Sequence, residues 1–391
     1  MKQAVILAAG EGQRLRPFTV NKPKAMLSIA GRPILSYVIK SLAESGIRNI
    51  ILVVGYRKEQ VLDWLSLNEP SGVEITYLTQ ENQLGTAHAL AQAESFVDDE
   101  FLVLHGDKLI EAATIAGFIT VSPQAIMAKR VDNPGRYGVL TTEKGILKSI
   151  TEKPKEPSSN LINTSVYAFS KKVFEFIEPE LDIPDVLNKM ITSGTTVQAY
   201  ETEATWLDVV YPWDILNLNR VVLQRFSPSL SGQVEAFVNI KGPVGIGKGT
   251  VIHSNSYLAG PLTIGTNCDI GPHVCLLPAT SIGDNVVISP FTEIANSVIG
   301  NDVIIGSSCT IQDAVIDQAC NIKGHLTACS GDAEVEINSE HYLVHAGAML
   351  GEGCTLDYGV VCQPGVILGN HSQVQAMKLI KGRLPDRSLV L

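Results

Sequence analysis

From residue 246 onward an aliphatic side chain returns at every sixth position: Ile246, Ile252, Leu258, Ile264, Ile270, Leu276, Ile282, Ile288 and Ile294. The phase slips by one residue to Ile299, Ile305 and Ile311, and slips again to Ile316 and Ile322. After an interrupted stretch it resumes at Leu350, Leu356, Cys362, Leu368, Val374 and Ile380. A repeat of six is neither the period of a helix nor the simple alternation of a strand. It suits a coil with three short sides. Each side points one aliphatic inward to stack on the coils above and below, and glycine allows the tight turns between sides. Glycine follows the aliphatic position at 247, 265, 271, 283 and 300. The period therefore predicts a parallel β-helix, whose coils bury little alone and depend on their neighbours. A glycine-rich β-sandwich would not hold a phase of six over nine consecutive positions.

The first half of the chain has a different rhythm. Residues 3–9, 50–55, 72–78 and 101–107 read as strands, and 33–45, 58–65 and 86–96 as helices between them. Such alternation implies an α/β domain with a mostly parallel sheet covered on both faces, and in such folds ligands sit beyond the carboxyl ends of the strands. Further strands are expected at 124–130, 137–151, 161–169, 195–200 and 205–209, with a helix near 171–177. Pro212 suits the first turn of a helix running to about Phe226. That helix would lead into the repeat, which divides the chain into domains at 1–228 and 229–391.

The net charge of −10 argues against a nucleic-acid surface, which needs clustered Lys and Arg. It leaves room for nucleotides, which need only a small positive site. The seven cysteines all lie between residues 268 and 362, with no CxxC pair among them. An odd number without a secretory framework suggests free thiols in a reducing compartment. The opening MKQAVILAAGEG has too short an apolar run for a signal peptide, and no stretch approaches the roughly 20 apolar residues of a membrane span. A cytoplasmic location is the expectation.

Two features of the first domain could carry chemistry. The loop GEGQRLRPFTVNKPKAM at 10–26 combines Gly10 and Gly12 with Arg14, Arg16, Lys22 and Lys24. Glycines let a backbone approach phosphate closely and expose its N–H groups. The pattern is not a Walker loop, because no lysine follows the glycines directly. Asp107 and Asp208 each close a predicted strand, and two converging carboxylates suit a hard divalent ion. Taken alone, either feature equally fits solvated surface.

Residues 7–35, LAAGEGQRLRPFTVNKPKAMLSIAGRPIL, resemble the signature of the sugar-1-phosphate nucleotidylyltransferases. QENQLGTAHAL at 80–90, HGD at 105–107, YGV at 137–139, EKP at 152–154, NTSVYAF at 163–169 and WLDVVYPWDILNLN at 206–219 follow in that family's order. The resemblance implies a Rossmann-like nucleotidyltransferase domain followed by a left-handed parallel β-helix of hexapeptide repeats, similar to archaeal bifunctional sugar nucleotidylyltransferase/amino-sugar acetyltransferases. It further implies transfer of a nucleoside monophosphate from UTP or dTTP to a sugar 1-phosphate. In that scheme Leu7, Ala8, Ala9 and Gly10 line the nucleotide, while Gln80, Gln83, Gly85 and Thr86 read its base. Arg14 and Lys24 hold the triphosphate and the incoming phosphate, and Asp107 and Asp208 bind Mg²⁺. Gly138, Glu152, Lys153, Asn163 and Thr164 contact the sugar phosphate. A homo-oligomer, with a trimer favoured, is implied as well.

The sequence departs from the family pattern in three places. Lys108 follows Asp107 where relatives usually have an uncharged or acidic residue; its ammonium either pairs with Asp107 and weakens metal binding, or faces away and adds to the attraction of phosphate. Thr164–Ser165 replaces a smaller or glycine-containing pair. In relatives that acetylate, the β-helix carries a catalytic histidine; the matching segment here is SSCTIQD at 307–313, with Ser308 in the histidine's place. No residue of that segment replaces an imidazole as a base near neutral pH. The β-helix is accordingly expected to be structural. The two competing readings are a bifunctional enzyme that also N-acetylates an amino-sugar 1-phosphate, and a non-catalytic nucleotide-sugar sensor.

Overall fold

The fully apolar run Ala4–Ala9 can be satisfied only at the centre of a covered sheet, and that is where it lies. In the computed structural model, which describes residues 1–68, 70–121 and 123–391, the strand Gln3–Ala8 (β1) is buried along its whole length. A small hairpin follows at Ser28–Ile29 (β2) and Arg32–Pro33 (β3). The helix Ile34–Glu44 (α1) then buries Ile34, Leu35, Val38, Ile39 and Leu42, the face its spacing marks out.

Asn49–Val54 (β4), Lys58–Leu67 (α2), Glu74–Thr79 (β5), Thr86–Ala91 (α3) and Glu100–His105 (β6) complete a parallel array. In it β5, β4, β1 and β6 are neighbours in that order. A short strand, Lys108–Ile110 (β7), and a helix, Ala112–Phe118 (α4), come next. Beyond them run Ala125–Arg130 (β8), Gly138–Glu143 (β9), Ile146–Glu152 (β10) and Leu161–Ser170 (β11). The set ends with Ile183–Thr192 (α5), Gln198–Glu201 (β12), Trp206–Asp208 (β13) and Asp214–Gln224 (α6).

The nine-stranded sheet has the order β5-β4-β1-β6-β11-β8-β12-β10-β9. Its first four strands are parallel, as the alternating pattern predicts. The second half is mostly antiparallel, because β9 and β10 form a hairpin around Glu143–Gly145 and β11 runs against β6, β8 and β9. β7 and β13 stay outside this sheet and pair with each other.

Compactness groups Met1–Glu11, Lys22–Met26 and Ile34–Asp208 into one unit, and Gly12–Asn21, Leu27–Pro33 and Val209–Leu391 into a second. The second unit is built on three parallel sheets, of nine, eight and eight strands, that form the sides of a left-handed β-helix. Each strand pairs with the one three steps later, one coil on; Ile252 lies over Ile270, Ile270 over Ile288 and Ile288 over Ile305. Every aliphatic position of the six-residue period is buried, none more than 3% exposed.

The interruption has a simple form. Ala328 keeps the period and pairs through Cys362, but its small side chain hides the phase. Gly331–Ile337 and Glu340–Ala346 then leave the helix as an antiparallel hairpin before Met349–Leu350 rejoins it. Tyr342 on this hairpin packs on Tyr211 and Trp213, and the Tyr211 hydroxyl donates to the Tyr342 hydroxyl at 2.6 Å. The loop Gly12–Asn21 is also fastened to this unit. Asn370 Nδ2 donates to the Pro17 carbonyl at 3.2 Å, and Asn21 Nδ2 to Glu352 Oε2 at 2.9 Å. All seven cysteines are free thiols.

Candidate active site

Strand ends deliver four charged side chains to one place in the first unit. β6 ends at His105, and the turn after it presents Asp107. β7 begins with Lys108, and β13 closes with Asp208 directly opposite it in the antiparallel register. Lys24 sits on the short 3₁₀ turn Lys24–Met26. Its Nζ contacts Asp107 Oδ2 and lies 3.2 Å from Asp208 Oδ1. Lys108 Nζ lies 2.5 Å from Asp208 Oδ2 and 3.8 Å from Asp107 Oδ2. The Trp206 ring holds the Lys108 ammonium over its face at 5.6 Å.

Asp107 and Lys108 are both buried, so these contacts are only weakly screened by water. Burial alone would raise the Asp107 carboxyl, but Lys108 and Lys24 outweigh it and hold the group well below the usual carboxylate range. The same balance depresses Asp208. For Lys24, burial works against the ammonium, and Asp107 with Asp208 overcomes it and raises the group above an ordinary lysine. All three are charged at neutral pH. His105, by contrast, is pushed down to about 4, mainly by burial, and its Nε2 is buried without a hydrogen-bond partner. It is a neutral imidazole beside the charges.

The donor set suits a hard divalent ion to a limited extent. Two carboxylates face common cations, and Mg²⁺ is usually held by one or two carboxylates with phosphates and water in its remaining positions. Among the described residues no third His, Cys, Asp or Glu joins them.

The residues expected around the nucleotide gather at the ends of β1 and β5. Leu7, Ala8 and Ala9 are buried and Gly10 is exposed. Gly106 N donates to the Leu7 carbonyl at 2.9 Å and Tyr56 N to the Ala9 carbonyl at 3.0 Å, which ties this strand end to its neighbours. Gln80 Nε2 donates to the Gly85 carbonyl at 3.0 Å and meets His88 Nδ1 at 2.9 Å. Gln83 is exposed and donates to the Gln80 carbonyl at 2.8 Å.

Gly85 has φ +155°, and a Cβ there would come within 2.3 Å of the Leu181 carbonyl oxygen, so only glycine fits. Asp182, which the sequence reading passed over, accepts from both Thr86 N and Thr86 Oγ1, at 2.9 and 3.0 Å. It also opens α5, an element absent from the sequence expectations. Its period of Ile183, Val186, Leu187 and Met190, with Pro184 in the first turn, was the available signal.

The residues expected around the sugar phosphate meet where β9, β10 and β11 adjoin. Gly138 stands opposite Glu152, and a Cβ on it would lie 2.8 Å from Glu152 Oε2. Glu152 is exposed and pairs with Lys153 at 3.1 Å. Asn163 Nδ2 donates to the Tyr167 hydroxyl at 2.9 Å, and its Oδ1 accepts from Ser165 N at 2.7 Å across the bulge in β11. Thr164 is fully buried. Its hydroxyl donates to the Met127 carbonyl at 2.7 Å, and its own carbonyl accepts from Trp206 Nε1 at 3.0 Å. Its side chain is therefore turned into the core, while Trp206 links this strand to the lysine at 108. Arg14 lies on the 3₁₀ turn Gln13–Leu15, within the loop fastened to the second unit.

Comparison with known proteins identifies the family of each half of the chain. A nucleotidyl transferase family model matches residues 3–225, and a bacterial transferase hexapeptide model matches 234–278 and 279–323. The chain is 33% identical to the bifunctional protein GlmU of Methanocaldococcus jannaschii, over 99% of this chain and 97% of that one. It is 32% identical to a bifunctional sugar-1-phosphate nucleotidylyltransferase/acetyltransferase of Sulfurisphaera tokodaii, over 95% of each. A UDP-glucose pyrophosphorylase from Acinetobacter baumannii shares the fold, with a TM-score of 0.51 at 24% identity, over 57% of this chain and 94% of that one. With its strand-end charges, its glycine-bounded loops and its hexapeptide coils, this chain belongs to the nucleotidyl transferase family and is an enzyme of the sugar-1-phosphate nucleotidylyltransferase kind.

Proposed function

We propose that the chain transfers a nucleoside monophosphate from UTP or dTTP to a sugar 1-phosphate, releasing pyrophosphate, with Lys24, Asp107 and Asp208 at the reaction centre. The meeting of Lys24 with both aspartates in a nucleotidyl transferase domain carries this reading. An oxygen of the sugar phosphate attacks the α-phosphorus, the bond to the β-phosphate breaks, and pyrophosphate leaves. The nucleophile is already anionic at neutral pH, so no general base is needed. What the reaction needs is positive charge, because two anions must meet and charge grows on the bridging oxygen. Lys24 supplies one such charge, and Arg14 a second on the triphosphate. Asp107 and Asp208 would hold Mg²⁺, which when bound supplies further neutralisation of the phosphates.

Specificity for the base rests on Gln80, Gln83, Gly85 and Thr86. The Gln80 amide nitrogen is committed to Gly85 and His88. Its carbonyl is left to accept from the ring N–H that uracil and thymine share and cytosine lacks. Leu7, Ala8, Ala9 and Gly10 form the bed for the nucleotide. Gly138, Glu152, Lys153, Asn163 and the backbone at Thr164 take the sugar phosphate, the Glu152 carboxylate accepting from sugar hydroxyls.

The β-helix serves structure and assembly. The segment 307–313, which matches the histidine-bearing segment of acetylating relatives, offers no imidazole. Outward apolar pairs on successive coils, Val287 beside Ile304 and Val361 beside Leu379, suit contact with further copies, a trimer being favoured. Among the described residues no helix is long and apolar enough to cross a membrane.

A matrix of triphosphates and sugar 1-phosphates, read by pyrophosphate release, tests the reaction. Turnover is expected with UTP or dTTP, and no release with any pair would reject it. Acetyl-CoA consumption with glucosamine 1-phosphate tests the second domain. A substantial rate would make the enzyme bifunctional, as its relatives' names describe them.

A further inference from the structure

Lys108 is the one member of the charge centre that the family comparison does not explain, and its position is unusually well defined. It is 7% exposed. Its backbone is locked to Asp208 by the β7–β13 ladder, its ammonium lies between Asp208 and Asp107, and the Trp206 ring closes over it. A side chain held by a carboxylate, a ring face and its own strand pairing is not a surface lysine that happens to fold inward.

The charge balance of the centre follows. Two carboxylates meet two ammoniums, so the four side chains sum to zero. Without Lys108 they would sum to −1, with a carboxylate oxygen of Asp208 relieved of its 2.5 Å partner. A divalent ion that gives up its water reluctantly needs an excess of negative charge or substrate phosphates to settle. The neutral centre offers the first only when Lys108 is removed, and a nucleoside triphosphate offers the second.

We propose that the Lys108 ammonium takes the place of a divalent cation between Asp107 and Asp208, so that the nucleotide-free protein has no working metal site and metal binding there depends on the triphosphate. Lys108 is on this view a residue that sets the metal requirement. This rests on the assignment of Asp107 and Asp208 as the metal-binding pair.

The test is direct Mn²⁺ binding to the full-length protein without nucleotide, followed by the electron paramagnetic resonance signal of the free ion. Wild type and Lys108→Arg are expected to leave Mn²⁺ free. Lys108→Met, which keeps an apolar stem against Trp206, should bind one ion at least about tenfold more tightly, since one full charge at contact distance is worth that and more in a buried site. Lys108→Gln gives the same reading if the methionine variant folds poorly. Equal Mn²⁺ affinity in wild type and the neutral variants would overturn the proposal. So would wild-type binding tighter than about 100 µM with no nucleotide present. Adding Asp208→Ala to Lys108→Met separates the two levels. If the gained site disappears, the aspartate pair holds the ion; if it persists, the metal assignment itself is wrong. Equal affinities at a site that Asp208→Ala removes would sink the role of Lys108 alone.

Discussion

The β-helix and the charge centre are held together in opposite ways. In the β-helix one interaction is repeated: an aliphatic side chain stacks on another aliphatic a coil away, and Ile288 does for its coil what Ile270 does for the one before. In the charge centre four different groups meet once, and each is fixed by the identity of the others. A repeated apolar contact tolerates exchange within its class, because its energy follows buried area and shape. A single ion network does not, since its energy follows geometry and charge, and an unpartnered buried charge is costly.

The largest expected difference is at Lys24. Lys24→Ala should lower kcat/KM by at least about 100-fold, the usual loss when transition-state charge stabilisation is removed. Lys24→Arg should also lose roughly tenfold or more, because a planar guanidinium cannot bridge Asp107 and Asp208 as a compact ammonium does. Steady-state pyrophosphate release measures both. A near-normal Lys24→Arg would mean that the centre is as exchangeable as the coils and would break the contrast.

A smaller effect is expected at Asp182, which joins the nucleotide loop to α5 without touching the charged cluster. Asp182→Ala removes the acceptor of both Thr86 bonds and should raise the KM for the triphosphate roughly tenfold, the worth of one or two hydrogen bonds to a charged group. The kcat should change much less. An equal fall in kcat would place Asp182 in the chemistry rather than in positioning.

The two regions also differed in how far their sequence could be read. The six-residue phase predicted the stacked aliphatic ladder of the β-helix, because a local repeat needs no knowledge of distant residues. It did not mark the second buried set two positions earlier, such as Cys268, Val274, Val286 and Val303. The ladder itself was lost where Ala328 kept the phase with too small a side chain and the hairpin 331–346 left the solenoid. In the first half, strand periodicity gave the parallel array, and motif order pointed to Lys24, Asp107 and Asp208. That Lys108 faces inward, and toward Asp208 more closely than toward Asp107, was not legible. It depends on β7 pairing with β13, a strand pair separated by almost a hundred residues. For the same reason Trp206 read as part of a strand, although its indole both donates to Thr164 and covers Lys108.

In the coils, Ile288→Val should cost only about 1 kcal/mol, the range for loss of one buried methylene. Chemical denaturation measures it, and a loss above about 3 kcal/mol would show the stack to be as particular as the charge centre.

The smallest effect lies on the β-helix surface, where charges meet outside a buried network. His253 bridges Glu235 on the coil before it and Asp269 on the coil after it, Nδ1 at 3.0 Å and Nε2 at 3.1 Å. Partial burial opposes its charge, but the bonds to Glu235 and Asp269 prevail and raise its pKa above that of an ordinary histidine. A group whose folded pKa is raised adds stability that is complete below its unfolded pKa of about 6.5 and is lost as pH climbs through the folded value. Wild type should therefore lose a little more melting temperature than His253→Gln between pH 6 and pH 9, with a difference under about 2 °C because the site is exposed. His345 titrates in both proteins and cancels from the comparison. A shift of the opposite sign would mean that His253 is neutral in the folded coil and that the two carboxylates do not act on it as a pair.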